Sequence, residues 1–346
     1  MEDRSETMRL SESELRALAA CALMGCRVPP DVAEDAGEIL VLGDLFGIHT
    51  HGVRRILDYE TRIAGGGIRP LAPILAEQIA PALGRVDGAG GLGPAVGREA
   101  LRLATRLARG AGIAAVFVRG SNHFGAIAPY GWIAAQDGLA TIIASNATTT
   151  IAPFGGSDAR VGNNPIGFCV PRPGAFPFIL DMATSVVSRA KIRDALTRGE
   201  PIPEGWATDA AGRATTDPTA ALAGFLLPVG GHKGYGLSLT VDLLAGLLSG
   251  AAFLTHVVTW VGNADRPQDL GHVFIVLDPS RLLPAAEYER RMSDFARIIH
   301  EAPPADPAQP VMLPGEREAA RMAEHKVRGI PLPRPLCDQL EALAGR

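Results

Sequence analysis

Hydrophobic residues in the N-terminal part of the chain recur every three or four positions, as they do on one face of a helix. Ser11 and Glu14 have the spacing of a capping box and predict that a helix begins there. A second helix is predicted to follow Pro29 and Pro30, with Asp31 as its cap, and to continue as far as Leu45. A third is predicted over residues 52–63 and ends at three glycines. The N-terminal part is therefore expected to be helical.

Further along the chain, short apolar runs lie between clusters of glycine, proline and asparagine, a pattern that is typical of buried strands. Helical stretches at residues 94–108 and 127–136 separate some of these runs. Such an alternation predicts an α/β fold around a mixed central sheet. The runs interpreted as strands are residues 113–118, 139–144, 166–170, 178–180 and 273–277.

The C-terminal part returns to helical spacing, with helices predicted over residues 284–300 and 314–327. The apolar stretch 235–252 is interrupted by glycines and an aspartate and is short for a membrane span, so a buried helix is expected there. These patterns divide the chain into an N-terminal helical domain at 1–72, an α/β domain at 73–280 that can form two subdomains, and a C-terminal helical segment at 281–346 that packs on the first domain.

Composition narrows the class of protein. The 346 residues are 47% hydrophobic and 20% charged, which is a globular balance. The net charge of −4 gives no basic footprint for nucleic acid. The N-terminal sequence MEDRSETMRLSESEL is polar and acidic rather than basic and then apolar, so we expect no signal peptide and a cytoplasmic location. A nucleic-acid or membrane partner is not expected.

The usual nucleotide-binding motifs do not fit this chain. The string GAGGLGPAVG at residues 88–97 matches the GxGxxG spacing of a Rossmann fold poorly and lacks the expected strand–helix–strand context. The chain also contains no GxxxxGK[ST] phosphate-binding loop. The sequence therefore disfavours a Rossmann fold and a P-loop phosphotransferase.

The phrase DLFGIHTHGVRRILDY is the first that carries candidate chemistry. Reducing a carbonyl requires a proton donor, and imidazole titrates near neutral pH, which makes His49 and His51 candidates. Arg55 follows His51 by four residues, so both can project from one side of a helix, and a guanidinium can hold a carboxylate bidentately. Capping or surface roles explain these residues equally well. A metal site at the two histidines lacks a third ligand.

Three further phrases place polar residues at breaks between predicted elements. Ser121, Asn122 and His123 lie in a turn after a buried run. The residues 181–185 follow the next strand, where they can cap a helix or bind a ribose or phosphate. Lys233 lies among glycines that allow close approach of a ligand. Each feature alone is equally compatible with an ordinary turn.

Taken together and in order, these phrases resemble the malate/L-lactate dehydrogenase family, which is distinct from the Rossmann-type lactate and malate dehydrogenases. The resemblance spans nearly the whole chain. It implies a homodimer with a non-Rossmann, mixed-sheet cofactor domain and a helical domain formed by both chain ends. The matching phrases are DLFGIHTHGVRRI, RGSNHFGA, PFGG with GNNPIGF, LDMATS, IPEGWATDAAGRATTDP, GGHKGYGL, GHVFIVLDP and LPGERE.

The resemblance also implies roles for individual residues. His51 matches the acid/base residue, Thr50 its hydroxyl neighbour and Arg55 the clamp for the substrate carboxylate, while His123 is the rival acid/base residue. The Ser145–Asn146–Ala147 turn is a further expected contact of the cofactor, which is NAD or NADP. The cofactor contacts that the resemblance implies are Asp181, Met182, Ala183, Thr184, Ser185, Lys233, Gly315, Glu316 and Arg317.

The implied reaction is hydride transfer between a nicotinamide and a small 2-oxo or 2-hydroxy acid. Reduction of a cyclic imino acid is the alternative within the family, because the same groups serve C=N and C=O. A nucleotide-binding protein without turnover and a metal-dependent hydrolase are the alternatives outside it. The chain departs from the family pattern at Thr50, usually serine, at the additional His49, and at residues 251–269, which are fewer than usual. These departures bear on the choice of substrate.

Overall fold

The structure is a computed structural model that describes residues 7–260 and 262–345. The first residues of the polar N-terminal segment, 1–6, lie outside the described residues. The strands are β1 (Thr7–Leu10), β2 (Leu75–Ala80), β3 (Leu83–Asp87), β4 (Ile113–Ser121), β5 (Ala140–Ser145), β6 (Thr149–Ile151), β7 (Val161–Gly162), β8 (Ile166–Val170), β9 (Phe178–Met182), β10 (Leu270–Leu277) and β11 (Ile330–Pro333).

The α-helices alternate with these strands in the central part of the chain and cluster at its two ends. They are α1 (Glu12–Gly25), α2 (Pro30–Leu45), α3 (Arg55–Gly65), α4 (Gly93–Ala111), α5 (Ala128–Gln136), α6 (Arg189–Arg198), α7 (Pro218–Ala223), α8 (His232–Val241), α9 (Ala285–His300), α10 (Glu316–Arg328) and α11 (Arg334–Ala344). Short 3-10 turns lie at His49–His51, Leu254–His256 and Pro279–Arg281, and a π-helix at Asp242–Leu247.

The first three helices begin in different ways. The capping box of α1 is present, because Ser11 Oγ accepts from the Glu14 amide and the Glu14 carboxylate accepts from the Ser11 amide. The expectation that Asp31 caps α2 is wrong, since the cap position is Pro29 and Asp31 lies inside the first turn. There its charge can still interact with the positive end of the helix dipole. Helix α3 starts later than predicted because the 3-10 turn precedes it.

Both ends of the chain build one helical layer. Strands β1 and β11 form an antiparallel pair in which Thr7 lies opposite Pro333. A Cβ atom added to Gly25 would lie 1.9 Å from the Leu343 carbonyl oxygen, so glycine permits α1 and α11 to pack closely. Residues of α1, α2, α3, α10 and α11 share one apolar core. This agrees with a helical layer made from both ends, while the division at residues 72 and 280 stays a prediction.

The central sheet has the order β2-β3-β4-β10-β5-β8-β9. Among its described strands only β3 and β4 are parallel, and the other neighbouring pairs are antiparallel. A doubly wound dinucleotide fold requires a mostly parallel sheet. The prediction of a mixed-sheet, non-Rossmann α/β fold is therefore confirmed.

The stretch 235–252 is helical but not fully buried. Helix α8 continues into the π-helix, whose turns are wider than those of an α-helix. Residues of the π-helix therefore point in directions that α-helical spacing does not predict. Val241 and Ala245 pack inside, whereas Leu243, Leu247 and Leu248 are between 47% and 62% exposed. The expectation of a buried helix is wrong for this outer face, which leaves three leucines uncovered in a single chain.

Candidate active site

The His49–His51 turn joins α2 to α3, and Asp44 holds it in place. Asp44 is buried, accepts a 2.7 Å hydrogen bond from the Val53 amide, and lies 2.8 Å from His49 Nδ1 through its other oxygen. A Cβ atom at Gly52 would fall 2.2 Å from this carboxylate, so the turn requires glycine there. His49 is therefore exposed and paired with Asp44, whereas its neighbours Thr50 and His51 contact each other.

His51 lies beside both of its expected partners. Thr50 Oγ1 is 2.9 Å from His51 Nδ1, which leaves the opposite ring nitrogen, Nε2, without a hydrogen-bond partner among the described residues. Arg55 Nε donates to the Thr50 carbonyl at 2.7 Å, and Arg55 Nη1 donates to Asp58 at 2.8 Å. These bonds fix the guanidinium next to the histidine. Its Nη1–Nη2 edge is the one that can bind a carboxylate bidentately, in competition with Asp58.

His123 comes from the loop after β4 and meets His51 across the site. The two imidazole rings are stacked, with centroids 5.4 Å apart. Tyr59, one turn after Arg55 on α3, places its hydroxyl 2.9 Å from His123 Nδ1. Within the described ranges, His123 Nε2 also has no hydrogen-bond partner. The structure thus brings together the four predicted catalytic residues, Thr50, His51, Arg55 and His123.

Burial and nearby positive charge keep both histidines neutral. Loss of hydration, followed in effect by the charges of Arg55 and Arg54, lowers the pKa of His51 from 6.5 to about 4. Loss of hydration also lowers the pKa of His123 well below its usual value, followed in effect by the charge of Arg55. Two neutral imidazoles beside a fixed arginine can accept a proton from a hydroxyl group.

The predicted cofactor residues lie along strand β9 and its continuation. Beyond the strand, the Val229 amide donates to the Thr184 carbonyl at 2.9 Å, and Ser185 forms an isolated antiparallel β-bridge with Pro228. The segment that leads into α8 and Lys233 therefore lies beside Thr184 and Ser185. At the other end of β9, the Ile179 amide donates to the Pro314 carbonyl at 3.1 Å. The residues from Gly315 onward therefore border the same strand.

One side chain in this region is positioned for a ligand that accepts or donates a hydrogen bond. Thr184 is buried, and its hydroxyl has no hydrogen-bond partner in the part of the chain that the structure describes. A buried hydroxyl without a partner is costly, which fits the ribose or phosphate of a dinucleotide. Met182 and Ala183 are half-buried beside it, and Ser185 donates instead to the Val187 carbonyl at 2.8 Å.

Asp181 has a structural role that the sequence did not reveal. Its carboxylate accepts 2.9 Å hydrogen bonds from the amides of Ile127 and Ala128, at the start of α5. Burial raises its pKa to about 6, although these bonds act in the opposite direction. The expectation of a helix directly after this strand is wrong, because α6 begins at Arg189 and is capped by Ser188. Asp181 therefore caps a different helix.

The remaining predicted cofactor residues differ in how firmly they are held. Gly315 has φ +96°, and a Cβ atom there would lie 2.9 Å from the Ile179 amide nitrogen, so the close approach requires glycine. Glu316 accepts from Arg172 at 3.2 Å and from the Leu313 amide at 2.9 Å. Arg317 and Lys233 are exposed and free to reach a charged ligand.

The sequence analysis gave no role to three residues that shape this site. Tyr59 ends the phrase DLFGIHTHGVRRILDY and lies one turn after Arg55 on the same helix, since residues four apart are neighbours on a helix. Trp260, whose ring centroid is 5.4 Å from that of His123, gave no local signal. Buried His272, which binds Ser121 and Ser145 at 2.8 Å each, was also missed because strand pairing alone brings these residues together.

Neither a metal-binding cluster nor a membrane-spanning helix is found in the described ranges. No group of three or more His, Cys, Asp or Glu side chains there is arranged to hold a metal ion. No described helix is long and apolar enough to cross a membrane.

Known proteins resemble this chain over nearly its whole length. The family model for malate/L-lactate dehydrogenase matches residues 10–341. A malate dehydrogenase from Pyrococcus abyssi is 35% identical over 98% of this chain and 95% of its own length. A (2R)-3-sulfolactate dehydrogenase (NADP(+)) from Chromohalobacter salexigens is also 35% identical, over 98% of each chain.

A solved structure shows the same fold. The Δ1-piperideine-2-carboxylate reductase of Pseudomonas syringae superimposes with a TM-score of 0.89 at 30% identity, covering 97% of this chain and 100% of the other. Fold, site and relatives define the class of protein as an NAD(P)-dependent hydroxyacid oxidoreductase. The chain belongs to the malate/L-lactate dehydrogenase family. The predictions of family, reaction class and cofactor class are thereby confirmed.

Proposed function

We propose that this protein transfers a hydride between NAD(P) and a small 2-oxo or 2-hydroxy acid at the site formed by His51, His123 and Arg55. The observation that carries the proposal is the pair of stacked imidazoles, 5.4 Å apart, each with Nε2 unpaired among the described residues, beside a fixed guanidinium. When bound, the nicotinamide supplies or accepts the hydride. The residues of the chain orient the acid and move its proton.

His51 is the proposed acid/base residue and Arg55 the proposed carboxylate clamp. In the oxidation direction, neutral His51 accepts the hydroxyl proton at Nε2 while Thr50 holds Nδ1. In the reduction direction, a substrate carboxylate bound to Arg55 offsets the strongest positive charge acting on His51. The pKa of His51 then rises, so binding of the acid promotes the protonation that the carbonyl oxygen requires.

His123 is the proposed alternative acid/base residue, and Tyr59 sets its tautomer. The Tyr59 hydroxyl can donate to Nδ1 at 2.9 Å, which leaves the proton on Nε2, or to the His123 carbonyl at 3.3 Å while accepting from Nδ1. The first arrangement makes Nε2 a donor and the second makes it an acceptor. With the matching ring tautomer, Nε2 can therefore donate a hydrogen bond to a carbonyl oxygen or accept one from a hydroxyl group.

The proposed cofactor site follows β9, from Gly315, Glu316 and Arg317 at one end to residues 181–185 and Lys233 at the other. The unpaired Thr184 hydroxyl supports a ribose or phosphate contact. Asp181 would act through the α5 N-terminus that it caps rather than by direct contact. Exposed Arg317 and Lys233 are the available cations for the phosphates.

Reduction of a cyclic imino acid is a second candidate function. The Pseudomonas syringae relative named as a Δ1-piperideine-2-carboxylate reductase shares the fold at a TM-score of 0.89. A carboxylate clamp and a proton donor serve a C=N bond as well as a C=O bond. The substrate screen below separates the two.

A homodimer in the cytoplasm is the proposed working form. The uncovered leucines of the π-helix face, Leu243, Leu247 and Leu248, form an apolar surface suited to a second copy. Replacing Leu247 and Leu248 with aspartate should then give a monomer by light scattering. A monomeric natural chain would contradict the proposal.

The activity is tested by following absorbance at 340 nm with purified protein and NADH or NADPH. Substrates are pyruvate, oxaloacetate, 2-oxoglutarate, sulfopyruvate, glyoxylate derivatives and Δ1-piperideine-2-carboxylate. We expect cofactor oxidation with one group of 2-oxo acids. Oxidation only with the imine would favour the second candidate. Cofactor binding without turnover on any acid would contradict both.

A further inference from the structure

Arg62 ties helix α3 to the loop that precedes β10, described at residues 257–260 and 262–269. The side chain is only 2% exposed. Its guanidinium donates to the carbonyls of Trp260 at 3.2 Å, Asn263 at 3.0 Å and Arg266 at 2.6 Å. It also lies 4.8 Å from the centroid of the Trp260 ring, a cation–π contact. A buried cation thus holds this loop by its backbone.

Two glycines at the end of α3 let the loop approach closely. The Gly67 amide donates to the Ala264 carbonyl at 2.9 Å. Cβ atoms at Gly65 and Gly67 would lie 2.7 and 2.4 Å from that carbonyl oxygen. Side chains there would push the loop away, so the glycines predicted to end the helix also seat the loop.

The anchored loop places the indole of Trp260 at the edge of the site. The Trp260 ring centroid is 5.4 Å from that of His123 and 6.1 Å from that of Tyr59. His51 stacks on the same His123 ring at 5.4 Å, so His123 contacts both His51 and Trp260. Trp260 therefore borders the site on its His123 side.

We propose that Trp260 is a specificity-determining residue that limits the substrate to acids with a compact side chain on the reacting carbon. This rests on the proposed function. A trigonal carbonyl carbon carries three groups that point apart. With the carboxylate at Arg55 and the oxygen at a histidine Nε2, the side chain occupies the remaining side, towards Trp260.

The indole cannot easily move aside for a larger group. Its backbone carbonyl is bonded to buried Arg62, and the same guanidinium stacks against its ring. A bulky side chain must therefore displace an anchored ring or tilt the carbonyl away from the histidines. Either costs transition-state binding, and differences of one or a few carbon atoms in such pockets change kcat/KM by about 10- to 200-fold.

The test compares kcat/KM for a 2-oxo acid with a methyl side chain, pyruvate, and one with a benzyl side chain, phenylpyruvate. The readout is the ratio of the benzyl to the methyl value. In Trp260→Ala this ratio should rise at least about tenfold over the natural chain, with a smaller rise in Trp260→Leu. Trp206→Phe, in a separate apolar cluster, should leave the ratio unchanged.

The outcomes separate the two proposals. An unchanged ratio in both Trp260 variants, with pyruvate still reduced, overturns the assignment of Trp260 and leaves the proposed function standing. If Trp260→Ala fails to fold, Trp260→Leu decides by the same ratio. Failure of the natural chain to reduce any 2-oxo acid, despite bound cofactor, overturns the proposed function and this inference with it.

Discussion

His123 and His272 are two histidines in neighbouring parts of the molecule, the first half-buried and the second fully buried, and they have different surroundings. Burial lowers the pKa of both, for His272 to about 3. His272 stacks on Phe124 with ring centroids 4.1 Å apart, and its two ring nitrogens lie 2.8 Å from Ser145 Oγ and from Ser121 Oγ. His123 uses Nδ1 for Tyr59, and its Nε2 has no partner within the described part of the chain.

A lowered pKa alone does not identify which histidine takes part in the reaction, because His123 and His272 share it. Both rings are neutral at pH 7 for the same reason, loss of hydration. They differ in whether a nitrogen is available and whether a cation lies nearby. Arg55 contributes the largest charge effect on the pKa of both His51 and His123, whereas burial is the cause of the His272 shift. This difference supports the proposal that the His51–His123 pair transfers the proton, and we propose a structural role for His272.

The largest expected effect is on turnover in His51→Ala. Removing the proposed acid/base group should lower kcat by about two to four orders of magnitude, the usual contribution of general acid–base catalysis, with cofactor affinity nearly unchanged. Steady-state kinetics and cofactor titration measure the two quantities.

The matched control is His49→Ala, two residues away. His49 is exposed and bonded to Asp44 rather than directed at the site, so its loss should change kcat little. Near-normal turnover in His51→Ala, with a large loss in His123→Ala, would transfer the role to His123.

A smaller effect is expected in Arg55→Lys. Lysine keeps the charge but cannot reproduce the fork that binds both carboxylate oxygens, so KM for the acid should rise by about one to two orders of magnitude while kcat falls less. Arg54→Lys is the control, because Arg54 is exposed. An unchanged KM in Arg55→Lys, or an equal rise in both variants, would reject the clamp.

The smallest effect on turnover is expected in His272→Phe, which should instead reduce stability. Losing two buried hydrogen bonds should lower the free energy of unfolding by about 1–3 kcal/mol. The low end is expected, because Ser145 Oγ retains the Asn146 carbonyl at 2.9 Å as an acceptor. Thermal and denaturant unfolding measure this. A loss of kcat as large as in His51→Ala would remove the distinction between the two regions.

The spacing of hydrophobic and capping residues predicted those helices and strands that their own residues determine. The capping box of α1, the strand at residues 166–170 and the helix α9 follow from short-range spacing. The β1–β11 pair was missed because its two strands lie at opposite ends of the chain. Each is four residues long, and its pairing partner cannot be read from nearby sequence.

The candidate site was predictable where it lies in one short segment and not where it depends on long-range packing. Arg55 and Tyr59 share a face of α3, and His51 lies in the turn that immediately precedes this helix, so their proximity follows from nearby sequence. The contacts of Trp260 and His272 depend on loop anchoring and strand register, which periodicity does not encode. The role of Asp181 at the start of α5 was hidden for the same reason.

The central claim is that neutral His51 is the base in hydroxy-acid oxidation, and the pH dependence of kcat/KM tests it most directly. The base form should persist down to its pKa of about 4, so the acid limb should lie well below 6.5. The lowered pKa also means that the unfolded chain binds the proton more tightly. Stability therefore falls as pH drops from 6.5 towards 4, and unfolding must be monitored at each pH.

The same profile is then measured for His51→Ala with the best hydroxy acid found in the screen. We predict an acid limb well below pH 6.5 in the natural chain that disappears in the variant, together with the loss of turnover. An acid limb at or above pH 6.5, or one that His51→Ala leaves unchanged, would contradict it.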